Sequence, residues 1–243
     1  WEFNNNRCYL YNKNIKKKLN GKALEVIEKI IEQFKFEGPK ELPNICSLIS
    51  GYFSYDIIKY VENIGNKCID DLNLPDARIL RPKELIIHDN IKKITFYIYN
   101  CYSDEIIYNY KKKYNEIKKA IEYNLFISNY ENKTITTKNQ ISSIRSNITK
   151  KRFIQNVKTA KKFIRKGDIF QVVLSQRFQT RLNKSPLEIY KKLRLINPSP
   201  FMYFFNFNDF QIIGASPEIL VRLRNNTITI RPIAGTRPRG KNL

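Results

Sequence analysis

An α+β fold, with antiparallel sheets and helices outside them, is predicted by three observations. Apolar runs come in adjacent pairs across short turns containing Asn or Asp, which is the hairpin signature. Segments with apolar residues at helical spacing stand between those pairs without regular β–α alternation, so a doubly wound parallel sheet has no support. The chain of 243 residues is 42% hydrophobic and 13% aromatic with eight Gly, enough for one large domain or two small ones. That content excludes a disordered tail, a low-complexity linker protein and collagen.

Residues Lys22 to Phe36 carry Leu24, Ile27, Ile31 and Phe34 at helical spacing and stop at Gly38-Pro39, which predicts an amphipathic helix with its terminator. Leu85-Ile86-Ile87 and Ile94 to Tyr99 flank a turn at Asp89-Asn90 and predict a hairpin. Ser103 is placed to cap a helix with Ile107, Tyr110, Tyr114, Ile117 and Ile121 on one face. From Ser128 to Asn147 polar residues and isolated Ile show no period, which predicts a linker or insertion between two units, residues 1–127 and 148–243.

Thr149 is placed to cap a helix carrying Phe153, Val157, Ala160 and Ile164, with Gly167 ending it. Ile169 to Phe178 then alternates as a strand, Phe170, Val172 and Leu174 on one face and Gln171, Val173 and Ser175 on the other. Ser185-Pro186-Leu187-Glu188 has the capping-box spacing and proline at the first helical position, so a helix runs to about Asn197-Pro198. Two hairpins close the chain: Phe201–Phe207 with Phe210–Ala215 across Asn208-Asp209, and Leu220–Arg224 with Thr227–Ile230 across Asn225-Asn226.

The formal charge of +22 raises nucleic-acid binding, because Lys and Arg that neutralise phosphates supply most non-specific affinity. The basic residues are spread along the whole length of a chain rich in Lys, Asn, Ile and Tyr, and that pattern fits compositional bias better than a dedicated site. Neither a nucleic-acid nor a membrane partner is expected, since no apolar run approaches the ~20 residues of a membrane helix. Cys8, Cys46, Cys68 and Cys101 are far apart and the single histidine is His88. That spacing argues against zinc, fits reduced thiols and leaves oxygen ligands, hence magnesium, for any metal. The chain opens on Trp1 and its only methionine is Met202, which predicts an internal fragment of a longer protein.

Four ordered blocks then stop being generic: Gly167-Asp168-Ile169-Phe170-Gln171-Val172-Val173-Leu174-Ser175-Gln176, Asn197-Pro198-Ser199-Pro200-Phe201-Met202, Gly214-Ala215-Ser216-Pro217-Glu218, and Arg231-Pro232-Ile233-Ala234-Gly235-Thr236-Arg237-Pro238-Arg239-Gly240. In order and spacing they resemble the large subunit, component I, of anthranilate synthases. Gly51-Tyr52-Phe53-Ser54-Tyr55-Asp56 and Leu74-Pro75-Asp76 resemble that family's weaker amino-terminal blocks. The resemblance implies a sandwich of antiparallel sheets with helices on the outside, truncated here at both ends. It also implies a carbon–oxygen lyase of tryptophan biosynthesis, converting chorismate and ammonia to anthranilate and pyruvate with magnesium. The ammonia would come from glutamine through a partner amidotransferase subunit, in a heterotetramer, and the location would be cytoplasmic, or plastid stroma for an organelle-encoded gene.

By the same resemblance, Glu218 matches the carboxyl that assists loss of the C4 hydroxyl, a role a closed, partly apolar site would favour; a surface glutamate after a Ser-Pro turn is the alternative. Gln171 matches a position where water-adding relatives have lysine, so it fits orientation of ammonia, or else a hydrogen-bonded core glutamine. Gly235 and Thr236 match the chorismate contact, Gly for close backbone approach to an anion and Thr for a further donor, or else a turn alone. Arg237 and Arg239 could attract the dianion or be salt-bridged. Ala234 replaces the lysine nucleophile of the sister enzyme, aminodeoxychorismate synthase component I, which points to direct attack by ammonia. Pro200, Phe201 and Met202 match the wall that binds the inhibitor tryptophan, with Phe201 where many relatives have tyrosine. No metal ligand is expected within this stretch. The magnesium-binding glutamates and the elimination-step histidine would lie beyond Leu243, His88 is not that histidine, and the fragment alone is expected to be inactive.

Overall fold

The computed structural model describes residues 1–12, 15–34, 38–39, 41–65, 68–101, 110–130 and 143–232. They belong to two compact units that divide between Thr134 and Ile135. The α+β class is borne out: every strand pairing among the described residues is antiparallel.

The first unit is built on a five-stranded sheet of β1 (Glu2–Asn4), β2 (Arg7–Asn12), β3 (Ile15–Leu19), β4 (Ser50–Phe53) and β5 (Ala77–Leu80), in the order β3-β2-β1-β5-β4. Asn5 and Asn6 turn β1 into β2 with φ of 49° and 58°, the paired positive values of a tight hairpin turn that asparagine tolerates. Helix α1 (Ala23–Gln33) lies on this sheet, and Asn6 Oδ1 accepts from the Ala23 amide at 2.8 Å, so the turn also caps the helix. The core joins Phe3, Cys8, Ala77 and Ile79 of the sheet to Ala23, Val26 and Ile30 of α1.

The inward stripe of α1 is therefore rotated from the one expected. Leu24 and Ile31 face solvent, because the smaller Ala23 and Val26 let the helix approach the sheet more closely than the bulkier row would. The helix ends at Gln33, ahead of the expected Phe36. The expected hairpin forms as β6 (Glu84–Asp89) and β7 (Ile94–Tyr99), with Asp89 Oδ1 accepting from the Ile91 and Lys92 amides at 2.9 and 3.0 Å. Helix α2 spans Tyr110–Tyr130, past the expected loss of pattern at Ser128; Ser103, proposed as its cap, lies outside the described residues.

In the second unit β8 (Arg145–Ser146) pairs with β9 (Phe178–Gln179), so the end of the expected linker is a short strand. Helix α3 (Lys150–Lys166) starts at Thr149, whose Oγ1 accepts from the Arg152 amide at 3.2 Å, and ends at Gly167 with φ 81°. The expected strand over Ile169–Phe178 is a correction. Regular pairing is confined to Phe178–Gln179, while Phe170 is 94% and Val173 80% exposed. A strand needs a ladder neighbour, and among the described residues the ladder of this segment is confined to its far end, where Phe178 and Gln179 pair with Ser146 and Arg145 and the Asn147 amide donates to Arg177 O at 3.1 Å.

Helix α4 (Pro186–Ile196) has the expected capping box, Glu188 N to Ser185 Oγ at 3.3 Å and Ser185 N to Glu188 Oε2 at 2.9 Å. Both closing hairpins form, β10 (Phe201–Asn206) with β11 (Gln211–Ser216) and β12 (Val221–Arg224) with β13 (Thr227–Ile230). Asn225 and Asn226 supply φ of 50° and 58° at the second turn. No described helix is long and apolar enough to cross a membrane.

Candidate functional site

The hairpin β10–β11 sets where the second unit's chemically interesting residues stand. Its register pairs Phe201 with Ser216, Met202 with Ala215, Tyr203 with Gly214 and Phe204 with Ile213. Alternation then sends Phe201, Tyr203 and Phe205 to one face and Met202 and Phe204 to the other. The second face meets α4, where the Tyr190 and Phe204 rings lie 5.8 Å apart. The first carries an aromatic row, with Tyr203 and Phe205 centroids at 5.7 Å and Phe201 46% exposed. Phe201 and Met202 are thus consecutive yet face opposite ways, and exposed Pro200 leads into them.

The chain leaves β11 through Ser216-Pro217-Glu218. Ser216 Oγ donates to the Glu218 carbonyl at 2.9 Å, closing the turn that presents the glutamate. The Glu218 carboxylate is partly exposed and lies 3.4 Å from Arg231 Nη1, while the Arg231 amide donates to Leu220 O at 3.2 Å. The structure gives Glu218 a half-solvated cationic neighbour where a closed, partly apolar setting was expected, and solvent screens such a pair. Arg231 opens the fourth motif block, and the sequence assigns it no role. Its position directly after the predicted strand, with the chain redirected by Pro232, was the available signal.

Gln171 is exposed and non-strand, so the structure does not place it on a strand's polar face, nor bury it in a core. Ala234, Gly235, Thr236, Arg237 and Arg239 lie outside the described residues. Among the described residues no cluster of three or more His, Cys, Asp and Glu side chains comes together to hold a metal, so these residues do not fit a magnesium site. A groove of about 340 Å³ in the first unit, lined by Leu19, Val26, Ile30, Phe34 and Arg81 among others, contains none of the catalytic, substrate-binding or inhibitor-binding residues expected from sequence.

In the first unit the two amino-terminal motif blocks come together. β4 pairs with β5 so that Phe53 stands opposite Ala77, the Ser54 amide donates to Asp76 O at 2.7 Å and Tyr52 Oη to Pro75 O at 2.8 Å. Asp76, 7% exposed, is the hub. Its carboxylate accepts from Tyr60 Oη, from the Asn5 amide at 2.8 Å and from Lys59 Nζ at 2.8 Å. Burial pushes its proton affinity up, but the bonds from Lys59, Tyr60 and Asn5 outweigh it and hold Asp76 below its ordinary range. Tyr60 is pushed well above its ordinary value by burial and by its bond to Asp76. This network ties Asn5 after β1, Asp76 before β5 and the turn of 3₁₀ helix at Tyr55–Tyr60 together.

Comparison with known proteins adds the family context. The sequence profile of the chorismate binding enzyme family matches residues 4–243. The chain is 38% identical over 232 residues to anthranilate synthase component 1 of Acetivibrio thermocellus, covering 93% of this chain and 47% of that protein. It is 40% identical over 225 residues to the protein of the same name from Cereibacter sphaeroides, covering 91% and 45%. Its structure superposes on the crystal structure of anthranilate synthase component I from Streptococcus pneumoniae with a TM-score of 0.75 and 29% identity, over 93% of this chain and 50% of that one. The chain spans about half the length of the curated relatives it matches.

Proposed function

The chain belongs to the chorismate binding enzyme family, and from that premise we propose that it carries part of an anthranilate synthase component I. The observation behind this reading is similarity to proteins named anthranilate synthase component 1 across 93% of the chain. The reaction is that of chorismate and ammonia giving anthranilate, pyruvate and water, the entry to tryptophan biosynthesis. Ammonia adds at C2 of the ring, the C4 hydroxyl leaves as its electrons are replaced through the double bonds, and loss of the side chain as pyruvate aromatises the ring.

Five residues of this chain take a part in that reaction. Glu218 hands a proton to the departing C4 hydroxyl, which is too poor a leaving group to go as hydroxide. Gln171 orients ammonia, which is nucleophilic without a base. Gly235 and Thr236 grip a substrate carboxylate, and Ala234 leaves ammonia as the only attacking group. Magnesium is the proposed metal, with no ligand among the residues named here. A partner amidotransferase supplies ammonia from glutamine, since no cysteine of this chain sits in a Gly-x-Cys-x-Gly elbow. Tryptophan inhibits through Pro200, Phe201 and Met202.

The test is anthranilate fluorescence in an intact protein containing these residues, given chorismate, magnesium and ammonium. Glutamine should replace ammonium only when the amidotransferase is added. Accumulation of aminodeoxychorismate in its place would overturn the role given to Ala234 and favour the sister enzyme.

A further inference from the structure

Two contacts fix the segment that carries Glu218, and they hold different parts of it. Ser216 Oγ donates to the Glu218 carbonyl at 2.9 Å and sets the main chain. Arg231 Nη1 donates to Glu218 Oε1 at 3.4 Å and is the contact that reaches the carboxylate. The arginine is itself held by the ladder: Val221 pairs with Ile230, and the Arg231 amide extends that pairing to Leu220 O at 3.2 Å. Arg231 therefore stands at the open end of the β12–β13 hairpin, with its side chain at the turn that leaves β11. Among the described residues the carboxylate is met at Oε1, and no hydrogen bond or ion pair goes to Oε2.

Resting on the proton-donor role proposed above for Glu218, we propose that Arg231 is the positioning residue that decides which carboxylate oxygen carries the proton. A guanidinium has N–H donors and no acceptor, and in a protein it is not deprotonated. The oxygen it touches can only accept, so a proton on Glu218 must sit on Oε2. When that proton passes to the C4 hydroxyl, the C4–oxygen bond breaks, its electron pair leaves with the water formed, and Glu218 remains as a carboxylate beside Arg231. A hydrogen bond to a charged acceptor is the stronger kind, so the contact gains strength as the proton leaves. An interaction that strengthens in this way acts on kcat and spares KM. Solvent reaches both partners, with Arg231 54% and Glu218 35% exposed, and screening keeps the gain modest.

The test is steady-state anthranilate formation, with ammonium as the nitrogen source, in an intact protein containing these residues. Arg231→Gln should lower kcat by ~10-fold with the chorismate KM changed less than ~2-fold. Arg231→Lys, which keeps a cation that only donates, should recover at least ~3-fold of that loss. Placed on top of Glu218→Gln, the same Arg231→Gln change should lower kcat less than ~2-fold further, because an amide has no proton to place. An arginine that merely supported the turn would cost the same in both backgrounds. An unchanged kcat in Arg231→Gln, equal losses in both backgrounds, a loss confined to KM, or no recovery with lysine would each overturn this inference and leave Glu218 as the donor. Near-normal turnover of Glu218→Gln alone would overturn the donor role, and this inference with it.

Discussion

Phe201 and Ser216 stand opposite each other at the open end of the β10–β11 hairpin, and Ser216 Oγ reaches on to the Glu218 carbonyl at 2.9 Å. The residue proposed to meet the inhibitor and the residue proposed to deliver the proton are therefore separated by one register pair and one hydrogen bond. A displacement of Phe201 along or across the ladder has to be taken up by Ser216, and the turn carrying Glu218 moves with it.

Glu218→Gln, in an intact protein containing these residues, is expected to reduce turnover by ~10²–10⁴-fold with the chorismate KM little changed, since the amide keeps the shape but cannot give up the proton. Ser216→Ala removes only the hydrogen bond that closes the turn, worth about 1 kcal/mol, and should reduce turnover by ~5-fold. Steady-state anthranilate fluorescence separates the two. Near-normal turnover of Glu218→Gln would return Glu218 to the role of surface partner of Arg231.

Gly51→Ala should disrupt the pairing of β4 with β5. A Cβ at Gly51 would sit 2.1 Å from the Arg78 carbonyl oxygen and 2.7 Å from Ile79 Cα. These are backbone atoms of the neighbouring strand and cannot swing aside, so the cost is about 3 kcal/mol. A lowered urea midpoint, followed by the fluorescence of Trp1, which packs against the same core, is the measurement. An unchanged midpoint would mean that β4 shifts at little cost.

Asp76 predicts an acid-labile first unit. Its folded-state proton affinity lies below the ordinary 3.8, so the unfolded chain binds the proton more tightly than the folded one. The stabilisation is full above roughly pH 4 and is lost as the pH falls below that value through the folded pKa. Asp76→Asn keeps the size but removes the charge that Lys59 and Tyr60 address, and should cost about 2–3 kcal/mol near neutral pH. That cost should shrink steadily in titrations below pH 4, because the wild type then loses the same interaction. A pH-independent difference between the two proteins would remove the carboxylate as its cause.

The local signals proved the most legible. Thr149, Gly167, the Ser185–Glu188 box and the Asn225-Asn226 turn each act within four residues, and each is where the sequence put it. The Asn5-Asn6 hairpin was equally local, but Arg7–Asn12 and Ile15–Leu19 are dominated by Lys, Asn and Tyr, which hid the strand period. The buried side of α1 was misplaced because Ala23 counts for little in a hydrophobic pattern and for much in close packing. The 169–178 segment reads as a strand by alternation alone, but strand formation depends on a neighbour that alternation cannot supply. The motif blocks marked Gly51 and Asp76, while their physical reasons, a backbone contact and a buried carboxylate hub, required the fold. For the site, sequence singled out Glu218 but not its ion-pair partner Arg231, thirteen residues away across a hairpin.

Met202→Thr should relieve tryptophan inhibition and spare the uninhibited rate. Met202 occupies the face of β10 that meets α4, opposite Ala215, and belongs to none of the proposed chemical steps. Threonine suits a strand, so the ladder survives, while the loss of a long apolar side chain removes contact area for an indole ring. If tryptophan acts by favouring a state that binds chorismate poorly, the coupling is reciprocal, and chorismate must weaken tryptophan binding by the same factor. The variant should raise the half-inhibitory tryptophan concentration by ~10-fold or more and flatten the dependence of tryptophan affinity on chorismate, both read by calorimetry and steady-state rates in an intact protein containing these residues. Full inhibition of Met202→Thr would place the effector pocket away from β10. Loss of activity without tryptophan would mean that the contact of this face with α4 is needed to hold the hairpin, and through it Ser216 and Glu218, in place.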